Sequence, residues 1–282
     1  CAMKNTIANF ANPSSPHYEG RAAKKAIEKA RDKIAEILGL NTRFNIIFTS
    51  GATESAAMVL HQKKLKCAPI EHECVKVWSC SNLVVNENGK VNIDDPPNST
   101  LQGANSETGI IQQIPHGIYF TDAAQAFGKI FTNFSKFDFQ FSSISSHKIG
   151  GPKGIGALIV KDINNLNSFI KGGGQEFGKR SGTENLMNIQ GFAKSIEDRL
   201  FEINSGKWDE IKSNRNYLEE MILNESYETL IVGRKVNRLP NTSFFITPGW
   251  KNDHQVATLD LEGFSVSSGM ACASGKKIKN NS

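Results

Sequence analysis

The chain has 282 residues, of which 39% are hydrophobic and 22% are charged, so it can build a substantial core and more than one domain. Its net charge of +5 is modest and its basic residues are scattered, which argues against a nucleic-acid-binding surface. No apolar run approaches the length of a membrane span, and no basic segment followed by an apolar one indicates a signal peptide.

Strand and helix patterns alternate through the first two-thirds of the chain. Apolar residues at helical spacing predict a helix over 20–38, a buried strand follows at 45–48, and a second helix begins near 56. Four further strands are predicted, at 101–104, 118–121, 137–144 and 155–160. This alternation is typical of an α/β layer with a mostly parallel sheet.

The pattern changes after about Gly191. Two helices and two short strands predict a smaller α+β unit, at 186–201, 208–223, 229–232 and 242–246. We therefore expect a large α/β domain over 14–190 and a small C-terminal α+β domain over 191–282, with 1–13 as an N-terminal remnant.

The five cysteines make an odd set, which favours reduced thiols in a cytoplasm over a disulfide framework. Cys67, Cys74 and Cys80 cluster near His72, but their spacing matches no tetrahedral zinc site. We interpret these three thiols as small core or surface residues and expect no metal.

Two motifs indicate a pyridoxal phosphate (PLP) enzyme. Asp122 follows an apolar strand, and Lys148 lies further along in a short polar turn. A lysine amine can form a Schiff base with the cofactor aldehyde, while a carboxylate pairs with the pyridine nitrogen and keeps it protonated. The protonated ring then accepts electrons from a breaking bond at the substrate Cα. Either motif alone is better read as a surface lysine or a strand-ending acid, but the two together favour the cofactor.

A third motif, Gly51-Ala52-Thr53, stands where a strand leads into a helix. Small residues let the backbone approach an anion, and a helix N-terminus offers free N–H groups. A phosphate would fit there, with the Thr53 hydroxyl as a donor. Plain helix capping explains the same residues equally well.

Eight motifs in a fixed order resemble the cysteine desulfurases of the NifS/IscS type, within the class V aminotransferase family. The resemblance covers essentially the whole chain and implies the PLP-dependent transferase fold of type I. The motifs are Asn12-Pro13-Ser14-Ser15, Ser50-Gly51-Ala52-Thr53-Glu54-Ser55, Glu71-His72, Asn105-Ser106-Glu107-Thr108-Gly109, Asp122-Ala123-Ala124-Gln125, Ser146-His147-Lys148, Arg180-Ser181-Gly182-Thr183 and Ser267-Ser268-Gly269-Met270-Ala271-Cys272.

The resemblance implies a role for individual residues. Lys148 would carry the cofactor and later move the Cα proton, and Asp122 would pair with the pyridine nitrogen. Gln125 would hydrogen-bond the ring oxygen, and His72 would stack on the ring face and join the catalytic residues. The remaining cofactor contacts would come from Asn105 and Ser106 beside the ring, from Ala52, Thr53, Ser145 and His147 at the phosphate, and from Thr183 of the neighbouring subunit in a homodimer.

Cys272 would carry the distinguishing chemistry. It lies in a run of Ser, Gly and Ala, which is flexible enough to move a thiol into and out of a site. By resemblance, its thiolate would attack the sulfur of L-cysteine, leaving alanine and an enzyme persulfide that passes sulfur to an acceptor or scaffold protein. That sulfur would serve iron–sulfur clusters or tRNA thiolation. A buried or incidental thiol is the alternative.

The sequence departs from the family pattern in three places. Ser106 stands where the family has an asparagine that contacts the cofactor. The chain also begins and ends short of the family's usual length, and no arginine that could bind a substrate carboxylate follows Arg238. A fragment or a shortened relative would account for this, so two other functions stay open: a non-catalytic PLP-fold partner protein, and another class V enzyme such as a selenocysteine lyase or an aminotransferase.

Overall fold

The computed structural model describes residues 2–7, 11–130 and 132–269. Within these ranges the helices are α1 (Ala2–Ile7), α2 (Tyr18–Ile37), α3 (Ala52–Leu60), α4 (Glu73–Lys76), α5 (Leu186–Asn204), α6 (Lys207–Glu225) and α7 (Asn252–Leu261). The strands are β1 (Asn45–Thr49), β2 (Lys66–Cys67), β3 (Cys80–Ser81), β4 (Thr100–Gln102), β5 (Ile118–Asp122), β6 (Phe139–Ser145), β7 (Gly156–Val160), β8 (Leu230–Ile231) and β9 (Phe245–Ile246).

Five strands form the central sheet in the order β1-β7-β6-β5-β4. β4, β5 and β6 pair in parallel, and β7 runs antiparallel to both β6 and β1. Four of the five strands therefore run in one direction, with β7 reversed. The predicted α/β fold with a mostly parallel sheet is confirmed.

Both faces of the sheet are covered by helices. On one face, α2 and α5 pack together over the sheet, and α2 contributes Ala23, Ile27, Ala30 and Ile34 at helical spacing. On the other face, α3 packs on β6 and β7. Successive β7 residues alternate between the two clusters, since Ile159 belongs to the first and Leu158 to the second. This three-layer arrangement leaves the strand ends open for a site.

Helix α5 is continuous across the predicted domain boundary between residues 190 and 191. Ile189, Phe192 and Ile196 from both halves of α5 lie in the cluster shared with α2. The helix therefore belongs to the large layer as a whole. The division into two domains stays a prediction, and α5 favours a boundary after its last turn, before α6.

The chain beyond α5 contains both helix and strand. β8 and β9 form a two-stranded antiparallel sheet, and α7 contains no buried residue. In the described ranges, no helix combines the length and apolar composition needed to cross a membrane.

Candidate active site

The site lies at the carboxyl ends of the parallel strands. β4 ends at Gln102, β5 at Asp122 and β6 at Ser145, and Gln102 and Asp122 are directly paired across the sheet. Because these strands run the same way, their last residues meet at one edge, where α/β sheets bind ligands. A cavity of about 1150 Å³ opens there. Nine residues predicted from the sequence line it: Ala52, Thr53, His72, Ser106, Asp122, Gln125, Ser145, His147 and Lys148.

Three predicted residues are not among those lining this cavity. The amide oxygen of Asn105 accepts hydrogen bonds from the backbone N–H groups of Glu107 and Thr108, at 3.0 and 2.9 Å, so it holds a turn. Thr183 is exposed on the surface, and Cys272 lies outside the described residues. The roles of these three residues, like those of the nine that line the cavity, stay predictions.

Asp122 presents one engaged and one open oxygen. Its Oδ1 accepts hydrogen bonds from the Ala124 N–H at 2.9 Å and from the Ser143 hydroxyl at 3.1 Å. No residue that the structure describes donates to Oδ2. The carboxylate is thereby fixed in orientation with an acceptor left for a partner in the cavity, such as a protonated ring nitrogen.

Lys148 lies in a short 3₁₀ helix, Ser146–Ile149, directly after β6. Gly150 ends this turn at φ 80°, a left-handed conformation that suits glycine. Lys148 is exposed at the cavity wall and makes neither an ion pair nor a hydrogen bond within the described ranges. Its amine is therefore free to reach a ligand.

The β1–α3 turn offers donors for an anion. Gly51 stands at the start of α3 and has no side chain to accept hydrogen bonds from the first N–H groups of the helix. A Cβ on Gly156 of β7 would lie 2.7 Å from the Gly51 Cα, so glycine is needed at position 156 where these backbones meet. Nearby, the Ser145 hydroxyl lies 2.9 Å from Nδ1 of His147.

The charge state of His147 also suits the binding of an anion. Burial, followed by the charges of Lys148 and Lys153, lowers the pKa of His147 below its ordinary value. The ring is therefore neutral at pH 7 and keeps one N–H. Together with the start of α3 and the open Asp122 oxygen, this donor set fits the phosphate and ring of PLP.

Sequence reasoning missed Glu71, which lies beneath the site. It is 1% exposed, its Oε1 accepts a hydrogen bond from the Gln102 N–H at 2.6 Å, and its Oε2 has no partner among the described residues. Burial, reinforced by the charge of Asp122, raises the pKa of Glu71 to about 8. Glu71 is therefore protonated at neutral pH. Its place next to His72 in a quoted motif was the available signal, but its burial is a tertiary property.

The structure describes the three thiols that the sequence analysis interpreted as small core or surface residues. Cys67 and Cys74 are buried and Cys80 is half-buried, all three as free thiols. Cys74 also lines the cavity, which its sequence context did not indicate. Within the described ranges, no group of three or more His, Cys, Asp or Glu side chains is placed to hold a metal.

A mostly parallel sheet with helices on both faces, and a lysine and an acid at its carboxyl edge, match the PLP-dependent transferase fold of type I. The class V aminotransferase family model matches residues 2–76 and 97–281. The chain belongs to this family, among its cysteine desulfurases of the NifS/IscS type.

Relatives in sequence and structure agree. The chain is 34% identical to the cysteine desulfurase IscS of Dictyoglomus turgidum, over 97% of this chain and 78% of that protein. It is 30% identical to the cysteine desulfurase NifS of Azotobacter vinelandii, over 94% of this chain and 74% of that protein. A NifS-like protein from Rickettsia africae superposes with a TM-score of 0.85 at 30% identity, covering 95% of this chain and 82% of the other. The structure of SspA in complex with cysteine superposes with a TM-score of 0.74 at 29% identity, covering 96% of this chain and 85% of the other.

Proposed function

We propose that this protein is a PLP-dependent cysteine desulfurase that converts L-cysteine to L-alanine. The observation that supports this most is the meeting of Lys148, Asp122 and the Gly51–Thr53 turn in one cavity at the sheet edge. A solved neighbour described as in complex with cysteine supports the substrate. The sulfur atom would leave the substrate for the thiolate of Cys272, forming a persulfide there, while a proton replaces sulfur on the substrate carbon.

PLP would be held by residues from four strand ends. The start of α3 with Thr53, Ser145 and His147 would hold the phosphate, and the open Oδ2 of Asp122 would pair with the ring nitrogen. When bound, the cofactor supplies an electron sink that stabilises charge developing at the substrate Cα. Asn105, engaged in its own turn, would act from behind the site, next to Ser106 on the cavity wall.

Lys148 and His72 would each take part in proton transfer. Lys148, free of ion pairs with described residues, can bind the cofactor and then move the Cα proton. Nδ1 of His72 accepts a hydrogen bond from the Cys74 backbone at 3.2 Å, so the neutral ring carries its proton on Nε2. That N–H is available for a substrate or ring atom in the cavity.

The activity is tested by supplying L-cysteine and a thiol reductant to the PLP-loaded protein and measuring alanine and sulfide. We expect equal amounts of both products, lost in Cys272→Ser. A protein that binds PLP but releases neither product would favour the non-catalytic alternative. Products from selenocysteine but not from cysteine would favour a lyase.

The cofactor anchor is tested separately with two lysines of the same cavity wall. Lys148→Ala should lose PLP on dialysis after borohydride treatment, whereas Lys153→Ala should retain it covalently. Both residues line the cavity, so the pair separates covalent attachment from general positive charge. Equal retention by both variants would contradict the role of Lys148.

We further propose a homodimer in which Thr183 reaches the neighbouring site. Thr183 is exposed and is absent from the residues lining its own chain's cavity, which supports a role in trans. In mixtures of Lys148→Ala and Thr183→Val chains, each hybrid dimer would hold one site with both residues intact. Activity regained on mixing supports shared sites, and none regained contradicts them.

Sulfur acceptors and location also follow as proposals. The persulfide sulfur on Cys272 would pass to an acceptor or scaffold protein, for iron–sulfur clusters or tRNA thiolation. The free thiols and the odd cysteine count support a reducing, cytoplasmic setting.

A further inference from the structure

Lys129 lies directly behind Gln125. After β5, successive turns connect the Phe127 N–H to the Ala123 oxygen at 2.8 Å and the Lys129 N–H to the Ala126 oxygen at 3.2 Å. These turns place the Lys129 ammonium 3.0 Å from Oε1 of Gln125. Gln125 lines the cavity, and Lys129 is absent from the lining residues. The lysine therefore acts on the site only through its neighbours.

This contact decides which end of the Gln125 amide is free. An ammonium can only donate hydrogen bonds, so the group turned toward Lys129 must be the amide oxygen. The NH₂ group is then left without that partner. A ligand at Gln125 consequently meets a donor, which suits an anionic oxygen and disfavours a second donor.

The charges around Lys129 are mostly positive. Burial, followed by the charges of Lys148 and Arg199, lowers the pKa of Lys129 to about 8. Arg199 lies on α5, where its guanidinium stacks over the Trp208 ring at 5.0 Å and pairs with Glu202 at 2.7 Å. Among the described residues, no carboxylate contributes to the change in the pKa of Lys129. Neighbouring positive charges disfavour the protonated form of the Lys129 amine.

We propose that Lys129 is a positioning residue of this active site: it holds the Gln125 amide with its NH₂ toward the cavity and adds positive charge beside Lys148. The proposal rests on the proposed cofactor. With PLP bound, the Gln125 NH₂ would be the group available to donate to an anionic ring oxygen.

The first test measures the absorption spectrum of the PLP-loaded protein from about pH 6 to pH 10. Lys129→Met should raise the pH midpoint of the spectral change by about 0.5–1 unit, because a neighbouring positive charge is removed. Lys129→Arg, which keeps charge and donor, should restore the midpoint. Lys161→Met serves as a remote control, since Lys161 pairs with Asp138 on the surface and should leave the midpoint unchanged.

A second test needs no cofactor. The Gln125 side-chain amide resonances, assigned by their loss in Gln125→Met, should move with a midpoint near pH 8 in the cofactor-free protein. That pH dependence should vanish in Lys129→Met. Failure of PLP to bind at all would refute the proposed function. An unchanged spectral midpoint and pH-independent amide signals in a folded, PLP-loaded protein would overturn the role of Lys129 alone.

Discussion

Nδ1 of His72 lies 3.0 Å from the sulfur of Cys74 and accepts the Cys74 backbone N–H at 3.2 Å. This contact caps the first turn of α4 and fixes the ring at the cavity wall. Burial, followed by the charge of Asp122, raises the pKa of Cys74 to about 12. The thiol is therefore protonated and can donate to Nδ1 as well. Cys74 thus helps hold His72 in the tautomer that presents Nε2–H.

The first prediction concerns the reactivity of Cys74. Because only the thiolate reacts, Cys74 should resist alkylation in the native protein at about pH 8, although it borders the cavity. Cys67, whose pKa burial raises to about 11, should resist likewise. Brief iodoacetamide treatment followed by peptide mass mapping measures this, with denatured protein as the fully reactive control. Rapid native alkylation of Cys74 would contradict the protonated thiol.

The second prediction concerns Asp122→Asn. The asparagine keeps an oxygen for the Ala124 N–H and the Ser143 hydroxyl, so the fold should be retained. It loses the negative charge that, on the proposed function, would pair with the ring nitrogen, so PLP affinity should fall at least tenfold, about 1.4 kcal/mol. Equilibrium dialysis with PLP measures the change. Asp138→Asn, which alters a surface carboxylate paired with Lys161, should bind PLP normally.

The sequence predicts the site well where chemistry depends on short contiguous motifs. Asp122 and Ser145 are the last residues of parallel strands, and Lys148 lies in the turn after the second of them, so the strand order brings them together. Glu71 and Lys129 were missed because their importance depends on burial between elements far apart in the chain. The motif Glu71-His72 marks the position of Glu71 but not its burial, and the sequence around Lys129 shows only an ordinary charged residue.

The same limit applies to the fold. The helices α2 and α5 were predicted from apolar residues at helical spacing. Helix α7 was missed because it buries no residue, and a helix without an apolar face leaves no periodic signal. The predicted boundary at residue 191 falls inside α5, and both halves of this helix pack in the large layer, which a change in sequence pattern does not reveal. The division into two domains stays a prediction.

The third prediction concerns the pH dependence of stability through Glu71. Its folded pKa of about 8 lies above its ordinary value of 4.5, so the folded state holds a proton that the unfolded state has lost. The free energy of unfolding therefore falls as pH rises from 4.5 toward about 8, and the loss levels off above about pH 8. Glu71→Gln keeps the acceptor for the Gln102 N–H and cannot ionise.

The free energy of unfolding of Glu71→Gln should therefore rise relative to that of the wild type as pH rises, by at most about 1.4 kcal/mol per pH unit. Urea unfolding of both proteins between pH 5 and about pH 8 measures the difference in free energy of unfolding. Parallel pH profiles for the two proteins would show that Glu71 ionises normally in the folded state.

The fourth prediction concerns the buried pair Arg31–Glu176. The guanidinium makes two hydrogen bonds to the carboxylate, at 2.8 and 3.0 Å, and the Phe48 N–H donates to the same carboxylate at 2.8 Å. Glu176 and the following Phe177 adopt left-handed φ angles of 47° and 60°, which cost energy for side-chain-bearing residues. The pair therefore holds a strained loop, which leads on to Thr183, against α2 and β1.

Glu176→Ala removes the acceptor of two guanidinium hydrogen bonds and of the Phe48 N–H, while Arg31 keeps its contacts with Glu28 and the Ile46 oxygen. Stability should fall by about 3–5 kcal/mol. Arg31→Met/Glu176→Met removes both charges and should be less destabilised than Glu176→Ala, although the Phe48 N–H stays unpaired. Glu197→Ala, which breaks an exposed pair with Lys194, should change stability by about 0.5 kcal/mol or less. Urea unfolding measures all three. A double variant as unstable as Glu176→Ala would show that the backbone contact, rather than the stranded charge, dominates the loss.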